Sequence, residues 1–414
     1  MIGKQVAAFV CFFVVLSWSA LYAQKNVKQS FDSQIDTEVL QFMKDWNLQG
    51  GSLALIKNGR LVYRQAYGTA DVAIPMQPDH LFRIASLSKP ITAIAVLKLV
   101  ESKQIGLEDK VFGDTGILND ETYLRINDRR IKDITVKNLL QHTAGWDRNK
   151  SAEGDPMFEE DRIAKSMGKP ADSNTIIEYM LTKKLDFDPG EKFAYSNFGY
   201  NVLGRIIEKV SGLTYAEYVQ KNILDPLEIT DMVLAKNQFC DKRPREVVYH
   251  VNQKEPFAQN PEHFPYGAFN IEAMDSHGGW LASTTDLAKI LVASAGWGTQ
   301  RDLISPQTYE AMVAPGATNK NYGLGWCVNP EGNRWHTGSL IGASAMMVQL
   351  KNGLGGVVLF NGNPLTGEYF QSLDKMMWTA MREVKDLPSP DLFLESAAPE
   401  EPLKTELKIA SDLL

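Results

Sequence analysis

The chain has 414 residues, 44% of them hydrophobic and 22% charged, with a formal net charge of −7. That is an ordinary globular mixture, long enough for one large or two interlocked domains around a sizeable core. The acidic balance, uninterrupted by any basic block, argues against nucleic acid or an anionic membrane surface as partner.

In chain order, the first residues are a separate object. Lys4 supplies a positive start, Val6 to Leu16 an apolar run, and "SALYA" ends in Ala23 before Gln24. This layout predicts a signal peptide over residues 1–23, the run being short for a membrane span. A secreted or periplasmic protein is expected, with no stable membrane anchor after cleavage; an uncleaved anchor is the alternative. Of the later cysteines, Cys240 and Cys327 either form one disulfide or remain two buried thiols.

Residues 31–48 space Ile35, Val39, Phe42, Met43 and Trp46 along one helical face. The next stretch, "GGSLALIKNGRLVYRQAYG", predicts two strands around Asn58-Gly59, a favoured hairpin turn. In "FRIASLSKPITAIAVLKLVE" (82–101), Pro90 belongs in a first turn, so a helix opens just before it. Few polar residues follow, so that helix is buried. Residues 110–260 carry helical patterns broken by Pro- and Gly-bearing loops. Among them, "FAYSNFGYNVLG" sets Tyr195, Ser196 and Asn197 on a short loop before a helix from about Tyr200.

Toward the other end, "YGLGWCV", "NRWHTGS", "GASAMMVQL" and "GVVLFN" read as consecutive strands, with Asn352-Gly353 a second hairpin signal. A helix-like stretch closes residues 365–384. One antiparallel sheet fed by both ends therefore emerges, with its parts at about 31–109 and 275–385. The helical part spans about 110–274, and both belong to one domain over 24–385. The tail, 386–414, is acidic and Pro-containing and reads as a peripheral extension.

Three constellations carry chemistry. Ser86 and Lys89 stand three apart, on one helical face, where a hydroxyl and an amine can meet. Unpaired backbone donors at the helix start favour a developing oxyanion there, and burial would depress the lysine pKa toward a proton-accepting range. A serine N-cap before a surface lysine explains the same pair more simply. Tyr195 and Asn197 can aim a phenol and an amide into one cleft, or serve as aromatic anchor and turn residue. His336, Thr337 and Gly338 lie on a strand, where glycine lets a ligand approach the backbone closely; a half-buried strand histidine is the plain alternative.

Taken in order, S-x-x-K, Tyr-x-Asn and His-Thr-Gly resemble the penicillin-recognising serine hydrolases, the group of class C β-lactamases and DD-carboxypeptidases. "LLQHTAGW" (139–146), "GGWLASTTDLAKI" (278–290) and "GLEDKV" (106–111) look like the same family, and the resemblance runs from about 33 to 384. It implies an α/β fold, an α/β/α sandwich with an antiparallel sheet plus a mostly helical inserted domain, β-lactamase/transpeptidase-like. It also implies Ser86 as nucleophile, Lys89 as its proton partner, and Tyr195 as general base in acylation and acid toward the leaving group. Which of Lys89 and Tyr195 takes the serine proton stays open. Asn197, His336, Thr337, Gly338 and Ser339 would bind substrate, with the backbone N–H groups of Ser86 and Ser339 as oxyanion hole. His142 reads as structural.

No metal or other cofactor is expected, since no H-E-x-x-H or C-x-x-C spacing occurs. The partner is a small-molecule or peptide substrate. Where the resembled motif carries lysine, His336 offers a mostly neutral group, a weaker anchor for a carboxylate. A lysine at 336 is therefore expected to improve binding of carboxylate-bearing substrates. DD-carboxypeptidase-like cleavage of peptide, amide or ester bonds is the leading expectation. An esterase or class C-type β-lactamase comes next, and a non-catalytic penicillin- or peptide-binding protein is the reading from another class.

Overall fold

A computed structural model describes residues 33–150, 154–251, 264–295, 302–384 and 391–395. The expected signal peptide, and the expected tail apart from residues 391–395, lie outside them.

Alternation along three strands decides the architecture. In β1 (Gly50–Lys57), Leu53 and Leu55 join one buried cluster while Ala54 and Ile56 join another. Successive strand residues face opposite sides, so a strand apolar at every position must be covered on both. After it come β2 (Arg60–Asp71), β3 (Ile74–Pro75), β4 (Phe82–Arg83), β5 (Val233–Leu234), β6 (Trp280–Ala282), β7 (Cys327–Val328), β8 (Arg334–Leu340), β9 (Ala343–Gln349) and β10 (Leu354–Phe360). β9 and β10 repeat the two-sided pattern: Met346, Val348, Val358 and Phe360 face one way, Ala345, Met347, Val357 and Leu359 the other. Burying each of the larger side chains contributes roughly 1.5–3 kcal/mol, so the register of these strands is strongly specified.

The result is a seven-stranded antiparallel sheet in the order β3-β2-β1-β10-β9-β8-β7. One face is covered by α1 (Gln34–Asp45) and the C-terminal helix Gly367–Glu383, which pack on each other. Ser33 and Asp36 form a capping box that starts α1. The other face carries α2 (Ser88–Glu101), the helices of the middle segment, and Thr284–Ala293. The fold is thus an α/β/α sandwich with an antiparallel sheet and a largely helical middle. That middle also contributes β5 to a small second sheet, β4-β6-β5.

Both Asn-Gly pairs read as hairpin signals close hairpins, by different means. Asn58 and Gly59 both take positive φ, the two-residue turn whose twist matches the strands. At the second, only Gly353 is left-handed among Lys351, Asn352 and Gly353, and Leu350 N–H donates to Leu354 O, making a three-residue loop. Cys240 is exposed and Cys327 half-buried, and both are free thiols, so the disulfide alternative does not hold.

One glycine ties the sheet to the cleft. A Cβ on Gly338 would sit 2.3 Å from Ile84 O and 3.3 Å from Ala85 Cβ. The close approach expected at this glycine is therefore made by the protein's own backbone, not reserved for a ligand. Gly338→Ala is expected to cost about 1–3 kcal/mol through overpacking, read as a lower urea midpoint; an unchanged midpoint would mean that β8 stands clear of this turn.

Candidate active site

β4 leads into the candidate nucleophile, and its anchor is unusual. The Arg83 guanidinium is 1% exposed, 4.7 Å from the Tyr249 ring centroid and 4.3 Å from that of Tyr266, with Glu246 at 3.8 Å. Its backbone N–H donates to Tyr249 Oη at 2.9 Å, and Ile84 N–H donates to Trp280 O at 3.1 Å. Ala85 then takes φ +49, a left-handed conformation costly for a residue with a Cβ. A 3₁₀ turn over Ala85–Leu87 runs directly into α2, two residues ahead of Pro90. The kink leaves the Ser86 side chain half-buried at the helix mouth, while Lys89, one turn on, is 0% exposed.

Lys89 Nζ lies 3.0 Å from Ser86 Oγ, 2.7 Å from Asn197 Oδ1 and 2.9 Å from His277 O. Burial drives its pKa well below the usual lysine range, opposed by the Asp155 charge and assisted by Arg148. Two of the three neighbours are carbonyl oxygens, which can only accept. A neutral amine therefore spends both N–H groups on them and turns its lone pair toward the Ser86 hydroxyl.

Asn197 opens α3 (Asn197–Ser211), three residues ahead of the expected start near Tyr200. Ser196 is the N-cap, its Oγ accepting from Gly199 N–H at 3.0 Å, and this capping signal sets the boundary. The amide orientation follows from a neighbour absent from the sequence-based site. Asn197 Nδ2 donates to Asp155 Oδ2 at 2.7 Å, and a carboxylate accepts only, so Oδ1 must face Lys89. Asp155 also accepts from Arg148 Nη1 at 3.3 Å.

Tyr195 is packed between rings and cations. His142 lies against it at 4.3 Å between centroids, the Arg148 guanidinium 5.0 Å and Lys89 Nζ 4.9 Å from its centroid. Burial pushes the phenol pKa above its usual value, while the Ser86 hydroxyl and the Arg148 charge pull it down. Tyr195 therefore stays protonated at neutral pH.

Below it runs a hydrogen-bonded chain whose direction is set at both ends. Ser196 N–H donates to His142 Nδ1 at 3.1 Å, so His142 carries its proton on Nε2, 3.1 Å from Tyr322 Oη. At the far end His336 Nδ1 lies 2.8 Å from Thr337 O and must donate, leaving Nε2 to accept from Tyr322 Oη at 3.2 Å. Both imidazoles are neutral. Burial lowers His142 well below its usual range and His336 to about 3.

The structure thus brings Ser86, Lys89, Tyr195 and Asn197 together, with the β8 edge beside them. His336 is placed differently from the expectation: its side chain is buried behind Tyr195, occupied by Tyr322 and the Thr337 carbonyl, and does not line the cleft. Thr337 is half-buried, and Ser339 is exposed with Oγ accepting from Asn363 Nδ2 at 2.9 Å. β7 pairs only with Arg334 and Trp335, so beyond them β8 has no β7 partner. Sequence reasoning missed Arg148, Asp155, the His277 carbonyl and Tyr322. None sits in a motif, and "NYGLGW" offered only a strand pattern.

Residues 35–374 match the protein-family model described as Beta-lactamase. The chain belongs to that family. Its members are serine hydrolases. The chain is 26% identical over 348 residues to "Protein flp" of Staphylococcus aureus (strain NCTC 8325 / PS 47), covering 82% of this chain and 64% of the relative. It therefore spans just under two thirds of that curated relative's length. Among solved structures, the octameric penicillin-binding protein homologue from Pyrococcus abyssi superposes with a TM-score of 0.66 at 26% identity, covering 86% of this chain and 79% of the other. The D-amino acid amidase from Ochrobactrum anthropi SV3 shares the fold, with a TM-score of 0.66 at 20% identity over 86% of this chain and 99% of the other.

The neutral histidines have a pH consequence. An unfolded histidine titrates near 6.5 and His336 in the fold at about 3. Between those values the unfolded chain binds the extra proton, so stability is full above pH 6.5 and falls as pH drops toward about 3. His336→Gln is expected to flatten that fall, read as urea midpoints between pH 7 and 4; parallel curves for the two proteins would contradict it. His336→Lys is expected to destabilise the fold by setting a second buried amine near Lys89, replacing the gain in carboxylate binding expected from the motif alone.

Proposed function

We propose that the protein hydrolyses peptide, amide or ester bonds through an acyl-enzyme on Ser86, with DD-carboxypeptidase-like cleavage the leading substrate reading. The observation that carries it is Lys89 Nζ, held by two carbonyls at 2.7 and 2.9 Å and standing 3.0 Å from Ser86 Oγ. Lys89 takes the serine proton as Oγ attacks the substrate carbonyl. The Ser86 and Ser339 N–H groups bind the oxyanion. Tyr195, protonated, gives its proton to the departing group. Water then attacks the ester carbonyl on Ser86, giving its proton to the Tyr195 phenolate, while the Lys89 ammonium returns its proton to Ser86 Oγ and the acid leaves. This assigns the acylation base to Lys89 in place of Tyr195, because burial moves the two pKa values in opposite directions.

The open stretch of the β8 edge supports an extended substrate, which could add to it as a further strand. An amidase or esterase acting on smaller substrates is the second reading, favoured by the fold shared with a D-amino acid amidase. A β-lactamase is less supported, because His336 supplies no cation for a β-lactam carboxylate. Export by the N-terminal segment belongs to the same proposal and rests on sequence pattern alone.

The test follows intact mass and turnover with benzylpenicillin, then with a panel of esters and amides, for the parent and Ser86→Ala. A persistent adduct dependent on Ser86 supports the peptidase reading. Rapid β-lactam hydrolysis would favour a β-lactamase, and hydrolysis unaffected by Ser86→Ala would remove the nucleophile. Tyr195→Phe is expected to slow acylation by about 10²-fold or more with little loss of stability. In the parent, acylation should climb with pH as Lys89 deprotonates, with a midpoint below the usual lysine value of about 10.4.

A further inference from the structure

Position 336 supplies no cation to anchor a carboxylate, and Lys89 cannot supply one. Lys89 is 0% exposed, with its nitrogen engaged by Ser86, Asn197 and His277. A cation does stand at the cleft, on the helical side. Arg148 packs 5.0 Å from the Tyr195 ring centroid, on the same ring that contacts His142, and its charge is felt by Lys89, Tyr195 and His142 alike. Its side chain is 38% exposed.

The way Arg148 is held bears on its use. Nη1 donates to Asp155 Oδ2 at 3.3 Å, and Asp155 is itself fixed by Asn197 Nδ2 at 2.7 Å and Met157 N–H at 3.3 Å. A guanidinium is a planar fork of five donors. Among the described residues its tether to Asp155 occupies one edge, while the Tyr195 ring supports its face. A surface arginine serving only its ion pair would contribute little and would have no reason to lie over the proton-donating phenol.

We infer that Arg148 forms an anion subsite at the mouth of the cleft, taking a carboxylate on the substrate through charge-assisted N–H···O bonds. The inference rests on the hydrolase reading above and narrows its substrates to acidic esters, amides or peptides. It moves the anchoring cation from the sheet edge to the helical side of the cleft.

Paired substrates test it. One pair is para-nitrophenyl hydrogen succinate and para-nitrophenyl succinamate, with the charge in the acyl part. The other is meta-carboxyphenyl acetate and meta-carbamoylphenyl acetate, with the charge in the leaving group. The readout is the ratio of kcat/KM within each pair, for the parent, Arg148→Ala and Arg148→Lys, with folding checked by thermal melts. For at least one pair, Arg148→Ala should lower the carboxylate-to-carboxamide ratio about ten-fold, chiefly through KM, and Arg148→Lys should restore part of it. Added salt should erode the ratio in the parent and not in Arg148→Ala.

Ratios unchanged in both pairs, with turnover still dependent on Ser86, would overturn the subsite and leave the hydrolase reading standing. Absence of Ser86-dependent turnover on all four esters would remove the reading and the subsite together. Should Arg148→Ala fail to fold, Arg148→Gln keeps the bulk without the charge, and its ratio decides.

Discussion

Taking an ammonium out of water costs several kcal/mol unless opposite charge is fixed beside it. Lys89 has no solvent contact, and the carboxylate whose charge bears on it, Asp155, is bonded to Asn197 and Arg148. Shedding the proton is the cheaper course, and the surroundings accommodate it: two carbonyl oxygens absorb the remaining N–H groups and the hydroxyl of Ser86 completes the set. Much of the cleft follows from keeping this amine dry. The largely apolar helix α2, the amide of Asn197 and the loop bearing His277 each close one side of it.

Sheet and helical segment meet beneath Tyr195, where His142 comes from the helical side and His336 from β8, with Tyr322 between them. The backbone groups at the two ends fix every proton in this chain, so neither imidazole can turn over without stranding a donor or an acceptor. A phenol resting on so constrained a support keeps one orientation toward Ser86. Arg83 performs a related task on the other flank, its buried guanidinium stacked among tyrosines and holding β4 where the nucleophile turn begins.

What was legible in the sequence depended on distance along the chain. Ser86 and Lys89 are three residues apart and share a helix, so their meeting could be read directly, as could the Asn58-Gly59 hairpin. The start of α3 was set too late by three residues because the Ser196 cap was passed over in favour of the next apolar run. His336 was misread for a different reason. Period-two alternation places it opposite Thr337 and Ser339, but which side faces the cleft depends on what packs against β8. Arg148 and Asp155 were illegible because each is an ordinary loop residue until folding brings Asn197 and Tyr195 against them.

The missing side chain at Gly338 also acts as a gauge. Ile84 O occupies the space a Cβ would need, so only a glycine can pass that point of the turn, and its strand neighbours Thr337 and Ser339 cannot be substituted for it by sliding. A slip of β8 by one residue is thereby forbidden at the place where its backbone runs beside Ser86. The spacing between the two N–H groups proposed to hold the oxyanion is therefore calibrated by an atom that is not there, independently of any substrate.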